Sequence, residues 1–197
     1  MAEKVKSKSV KKSMDKWKRK QWFTVLSSKE FDEKPIGETP AEKEKLVKGR
    51  TVHKSLGELT NERQKRYIQI NFRIREVKGQ NALTDVTGHE VAGNYMNKMI
   101  RRRSSKIQTV QTVQTKDGIK VKLKTIAISQ RKLDRQKRTV ARKKMMEMIA
   151  KSAENKEFSP LIQLVIFGVL ASKMFKELKK IAPMKRVEIV KSVVLEG

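Results

Sequence analysis

Apolar residues alternate with polar ones most clearly at residues 67–77, where Ile68, Ile70, Phe72 and Ile74 are separated by Gln69, Asn71, Arg73 and Arg75. A period of two predicts a strand with one face buried. Lys78-Gly79-Gln80-Asn81 supplies turn chemistry, and residues 82–87 are expected to return as its partner. Upstream, Trp22 to Leu26 reads as a first strand and Arg50 to Leu56 as another, while the prolines and glycine of 34–40 read as an irregular connection between them. Downstream, the three-to-four spacing of Val91, Tyr95 and Met99 predicts a short helix from about His89 to Arg103. A second hairpin is expected over 107–115 and 119–129 around Asp117-Gly118. In its second arm the apolar parity passes from Ile119, Val121 and Leu123 to Ile126 and Ile128, which predicts a bulge near Thr125.

The period then lengthens. A helix capped by Ser129 is expected to run to about Asn155, with Leu133, Val140, Ala141, Met145, Met148 and Ile149 on one stripe and arginines on the opposite face. Ser159-Pro160 reads as the cap and first residue of a second helix, apolar nearly all round from Leu161 to Ala171 and stopped by Pro183. Its apolar stripe is expected to be core rather than a docking face. A last strand is expected over 186–194. The pattern is that of an α+β chain, with a β-rich middle at 21–129 and a helical pair plus last strand at 130–197 packed on it.

Composition narrows the function. The chain of 197 residues carries 48 Lys+Arg against 21 Asp+Glu, a formal net charge of +27. A compact fold with that surplus repels itself, so a polyanionic partner is expected. Nine cations between Lys4 and Lys20 face only Glu3 and Asp15, so residues 1–20 are expected to be a basic tail, disordered without RNA. With no cysteine there is no thiolate nucleophile, disulfide or cysteine-bound zinc. The longest charge-free apolar run, Leu161 to Ser172, is too short to span a bilayer. The expectation is a soluble, internal protein.

Catalytic motifs fail one by one. His89-Glu90 lacks a second histidine four residues on, where Gly93 stands, and Gly88 to Gly93 has phosphate-loop glycine spacing with Asn94-Tyr95 in place of Lys and Ser/Thr. His53 and His89 read as ordinary surface or hydrogen-bonded residues. No enzyme activity, cofactor or metal is expected.

Basic clusters remain. Arg101, Arg102, Arg103, Ser104, Ser105 and Lys106 form a run whose guanidinium forks and two hydroxyls suit phosphate oxygens. Arg131, Arg135, Arg138 and Arg142 form a second run, whose arginine richness points the same way. The third is Lys16, Trp17, Lys18, Arg19 and Lys20, where the indole either stacks on a splayed base or packs on the domain edge. Arg50 is counted with these RNA contacts. Lys120, Lys122 and Lys124 share one strand face that is as readily solvated as bound.

Several segments in order carry a resemblance: Lys20-Gln21-Trp22-Phe23-Thr24-Val25, Ile36-Gly37-Glu38-Thr39-Pro40, Gly49-Arg50-Thr51-Val52, Ser55-Leu56-Gly57-Glu58-Leu59, the 101–107 run and Pro183 to Lys191. Together they resemble the S-one-e (also called S-three-A) family of small-subunit ribosomal proteins, in its compact archaeal form. The resemblance implies a β-barrel-like centre of mostly antiparallel strands with flanking helices. It implies a cytoplasmic, ribosome-bound structural protein that binds small-subunit ribosomal RNA on the platform near the messenger exit. Its partners would be that RNA, neighbouring ribosomal proteins and messenger RNA, with no membrane. The competing reading is a detachable translation or RNA-chaperone factor; a DNA-compacting or anionic-membrane protein is a third.

Overall fold

The computed structural model describes residues 16–195. In chain order it forms β1 (Gln21–Leu26), β2 (Pro35–Ala41), β3 (Thr51–Ser55), α1 (Leu56–Leu59), β4 (Ile68–Lys78), β5 (Asn81–Val91), α2 (Gly93–Met99), β6 (Lys106–Gln114) and β7 (Lys120–Ser129). Then come α3 (Arg135–Glu154), α4 (Phe158–Ile166), α5 (Val169–Ile181) and β8 (Met184–Leu195). The chain is α+β, as the two periodicities require.

Its sheet branches at β5. One edge of β5 pairs with β4 from Ile68↔Val91 to Lys78↔Asn81. The other edge pairs first with β1, in parallel at residues 81–83, and then with β8, antiparallel at 88–90. From β8 the sheet continues through β7 to β6. Two bulges in the β4–β5 ladder, at Asn71/Phe72 and Ile74/Glu76, add the bending that this change of partner needs. The sheet stays open, with β2, β3 and β6 as edges, rather than closing as a barrel.

Two cores result. The first gathers Phe23, Val25, Ile70, Phe72 and Ile74 from β1 and β4 with Ile162 and Ile166 from α4. The second packs Leu123, Ala127, Val187 and Ile189 against Met145, Ile149 and Met174 from α3 and α5. α4 serves both, since Leu161 and Val165 point into the second core.

The expected bulge near Thr125 is present, but it belongs to β8: Lys124 pairs with Lys191 and Thr125 with Ile189, leaving Val190 extra. β7 keeps register with β6 throughout. The change of apolar parity therefore has another cause. Val121, Leu123 and Ala127 face the second core, and beyond Thr125 the opposite face is buried as well, as Ile126 and Ile128 enter the first core.

Other boundaries move for identifiable reasons. Residues 35–41 are a strand, because β2 lies at a sheet edge where proline costs few ladder bonds. His89 lies in β5, not in a helix, and α2 starts only at Gly93. Ser129 ends β7, and α3 begins after Asp134. The long apolar helix is two helices bent by 66° at Phe167-Gly168, with Gly168 in the left-handed region at φ 78°. Ser159 is not its cap: its hydroxyl donates to Glu30 Oε1 at 2.8 Å, while Asp117 Oδ2 of the β6–β7 turn accepts the Phe158 N–H at 2.9 Å. Among the described residues no single helix is long and apolar enough to cross a membrane.

Candidate nucleic-acid interface

Arg101, Arg102 and Arg103 are exposed in the loop between α2 and β6. Arg103 adopts a left-handed φ of 63°, and the Ser104 hydroxyl donates to the Arg101 carbonyl at 2.6 Å, so the loop is a closed turn that holds three guanidinium stems outward. The Ser104 proton is thereby used inside the protein. Ser105 is buried and anchors the turn: its N–H donates to Ser129 Oγ, its carbonyl accepts from Ser129 N–H, and its Oγ accepts from Leu133 N–H at 2.9 Å. Lys106, the first residue of β6, is exposed beside it.

Those bonds join two runs that the sequence separates. Ser129 and Leu133 bracket Arg131, which is exposed in the segment leading into α3. Arg135, Arg138 and Arg142 follow on the helix itself, all exposed. They are not opposite the apolar stripe. Arg138 and Arg142 each stand seven residues ahead of a buried residue, Met145 and Ile149, a spacing of almost two turns. The arginine side and the core-facing side are therefore one side of the helix. Residues 134–140, Val140 included, are all exposed, so the first turns of α3 reach past the packed body and carry arginine where later turns carry core residues.

Electrostatics separates these arginines from the cations that carboxylates hold. Glu147 is shared by Lys144 and Lys151, Glu177 holds Lys180, Glu58 holds Lys54, and Glu90 holds Lys191. The arginines at 101–103, 131, 135, 138 and 142 make no ion pair with another described residue. They form a strongly positive end, in which Asp134 is the one acidic residue of the two runs.

The remaining sequence-predicted residues are scattered. Residues 1–15 of the basic tail lie outside the described residues. Lys16–Arg19 form one 3-10 turn leading into β1, with Trp17 59% exposed, Lys18 exposed, Lys20 Nζ 4.0 Å over the indole and Arg19 Nη1 3.7 Å from Glu42. Arg50 turns its Nη1 onto Thr39 Oγ1 at 2.6 Å and the Pro40 carbonyl at 3.0 Å, which fastens β2 to the start of β3. Lys120, Lys122 and Lys124 share one sheet face, with Lys124 half-buried.

The histidines hold structural bonds. His53 Nδ1 meets Asn71 Oδ1 at 2.7 Å. His89 is buried, with Nε2 2.9 Å from the Ile189 carbonyl and Nδ1 2.6 Å from Ser192 Oγ. Since a carbonyl only accepts, Nε2 carries the proton and Nδ1 accepts from the serine hydroxyl. Burial depresses the imidazole pKa and keeps it neutral. Among the described residues no group of three or more His, Asp or Glu is placed to hold a metal. Sequence reasoning weighed a docking role for the long apolar helix and favoured core, but it did not find the groove between α5 and β8, rimmed by Lys176, Lys179 and Lys185.

A family model for the Ribosomal S3Ae family matches residues 8–197. The small ribosomal subunit protein eS1 of Methanobrevibacter smithii is 40% identical over 190 residues, 96% of this chain and 98% of its own length. That of Methanococcus vannielii is 37% identical over 99% of this chain and 88% of its own, and that of Haloarcula marismortui 36% identical over 88% and 82%. These relatives are archaeal. With the match running through the arginine loop, α3 and β8 alike, the chain belongs to the Ribosomal S3Ae family.

Proposed function

We propose that the protein is a structural constituent of the small ribosomal subunit, ribosome-bound in the cytoplasm, which binds ribosomal RNA on the platform near the messenger exit and stabilises its local fold. The relatives are named as small ribosomal subunit proteins and match this chain over 88–98% of their own length, which supports the ribosomal role. One observation carries the RNA contact. The Ser105–Ser129–Leu133 bonds bring the 101–103 and 131–142 arginines to one end of the molecule, exposed and without acidic partners. Planar guanidinium groups bind phosphate oxygens in two-point contacts, and paired RNA offers mainly its backbone and shape. Lys106 belongs to the same surface. The Lys16–Lys20 turn is a second contact, and Arg50 joins only through the guanidinium donors that β2 leaves unused.

Replacing Arg101, Arg102 and Arg103 by Ala tests this. Affinity for small-subunit ribosomal RNA should fall, and the slope of log affinity against log salt should flatten by about 2–3, the release expected from three lost phosphate contacts. An unchanged slope would show that these side chains do not meet phosphate. In gradients of native lysate the chain should travel with the small subunit in one-to-one amount and survive a moderate salt wash. Sub-stoichiometric recovery would favour a detachable RNA-binding factor.

A further inference from the structure

The arginine end leaves unexplained a groove of about 590 Å³ on another part of the surface, between α5, β8 and the beginning of β4. Its floor is apolar: Ile68, Val91, Ile166, Val187 and Ile189 line it. At its mouth stands Phe167, at the bend between α4 and α5 and 38% exposed, with Phe175 half-buried on the α5 side. Its rim is cationic. Lys176, Lys179 and Lys185 are exposed and make no ion pair with another described residue, and Lys65 Nζ lies 5.4 Å from the Phe167 ring. The one carboxylate in the lining, Glu188, is held by Arg186 Nε at 2.7 Å.

We propose that this groove docks an extended acidic segment of a neighbouring protein, which seats one large apolar side chain on the floor and pairs flanking carboxylates with Lys176, Lys179 and Lys185. The inference is independent of the RNA contact at the arginine end. Charge complementarity selects an anionic occupant, and the floor selects a peptide over a nucleotide. The polar side chains in the floor are engaged: both ring nitrogens of His89 are bonded, the Ser172 hydroxyl donates to the Gly168 carbonyl at 3.0 Å, and the Tyr67 hydroxyl accepts from Arg186 Nη2 at 3.5 Å. A nucleobase there would set its ring nitrogens and exocyclic groups against aliphatic carbon without partners, a desolvation cost that an apolar side chain avoids. An exposed phenylalanine beside an apolar hollow is also what a docking site presents before its partner arrives.

The test uses the full-length chain and fluorescence anisotropy at about 0.15 M salt, where distant surface charges are screened. Two labelled peptides are compared, Asp-Glu-Phe-Asp-Glu and the same sequence with Ser for Phe, alongside a uridine oligonucleotide. The Phe peptide should bind about tenfold more tightly than the Ser peptide, the return expected from burying one aromatic side chain. The double variant Lys176→Glu/Lys179→Glu, altered only at exposed positions, should lose about tenfold for the Phe peptide while keeping its affinity for ribosomal RNA and its unfolding midpoint. Phe167→Ser should abolish the preference for Phe over Ser. Equal binding of the two peptides would reduce the attraction to charge alone and overturn the proposal. So would displacement of the Phe peptide by the oligonucleotide together with loss of oligonucleotide binding in the double variant, which would assign the groove to RNA.

Discussion

Gly88 and His89 stand where β5 pairs with β4 and β8 together, and each shows how little room that junction leaves. A Cβ on Gly88 would lie 2.0 Å from the Ser192 carbonyl oxygen, a backbone atom held in the ladder. Gly88→Ala should therefore cost about 3 kcal/mol or more, read as a lower urea midpoint at unchanged slope. Gly93→Ala, with nothing within 4 Å of its Cβ, should be neutral or slightly stabilising at the start of α2. Equal effects would mean that β8 yields at Ser192. His89 adds a pH dependence. Its imidazole is buried neutral, so its folded pKa lies below the ordinary 6.5. Between those two values the unfolded chain binds the extra proton, and stability rises with pH. The contribution is complete above pH 6.5 and is lost as pH falls below it toward the folded pKa. Thermal midpoints measured from pH 7.5 to 5 should drop more steeply for the natural chain than for His89→Asn. Parallel curves would show that the imidazole is not the group responsible.

At the scale of elements, the alternation of β4 was fully legible, because one face of that strand is buried and the other meets solvent. β7 was misread for the same reason: it changes from one buried face to two, and a pattern of period two cannot distinguish that from a register slip. The break at Gly168 was also hidden, since both arms are apolar and only the left-handed φ marks the bend. Asp117 was read as a turn residue, but its carboxylate also caps α4, a contact that only tertiary structure can supply. In α3 the stripe was found but not its end, because composition does not say where a helix outruns the sheet beneath it. That overhang has a measurable consequence. Without packing, the turns from Arg135 to Val140 depend on local helix propensity, which is marginal for so short a stretch. Amide hydrogens there should exchange much faster in the free protein than those from Met145 to Ala153, and should gain protection when ribosomal RNA is added. Equal protection in the free protein would show that the overhang is held by the protein itself.

For the whole molecule, both arginine runs could be read as RNA contacts in the sequence, but their convergence could not. It depends on Ser105, a residue that sequence reasoning grouped with the phosphate donors and that the structure buries as a clamp. The acidic residues follow the opposite logic. Glu58, Glu90, Glu147 and Glu177 are each tied to a nearby lysine, while the two arginine runs hold only Asp134 among their own residues, so the +27 surplus is concentrated rather than diluted. A fold built this way is incomplete as an electrostatic object: its compact state holds like charges together that the unfolded chain keeps further apart. Added salt screens that repulsion within about 10 Å at 0.1 M. The isolated protein should consequently gain thermal stability as sodium chloride rises from low to moderate concentration, by about 1 kcal/mol or roughly 2–4 °C for a chain of this size. Surface ion pairs weaken under the same screening, but exposed pairs contribute little each, so repulsion sets the sign. Binding to RNA should respond in the reverse direction, weakening as salt rises. Calorimetry of the free chain and affinity measurements over one shared salt series decide the matter, and a midpoint that falls with salt would mean that the surplus charge is already neutralised within the fold.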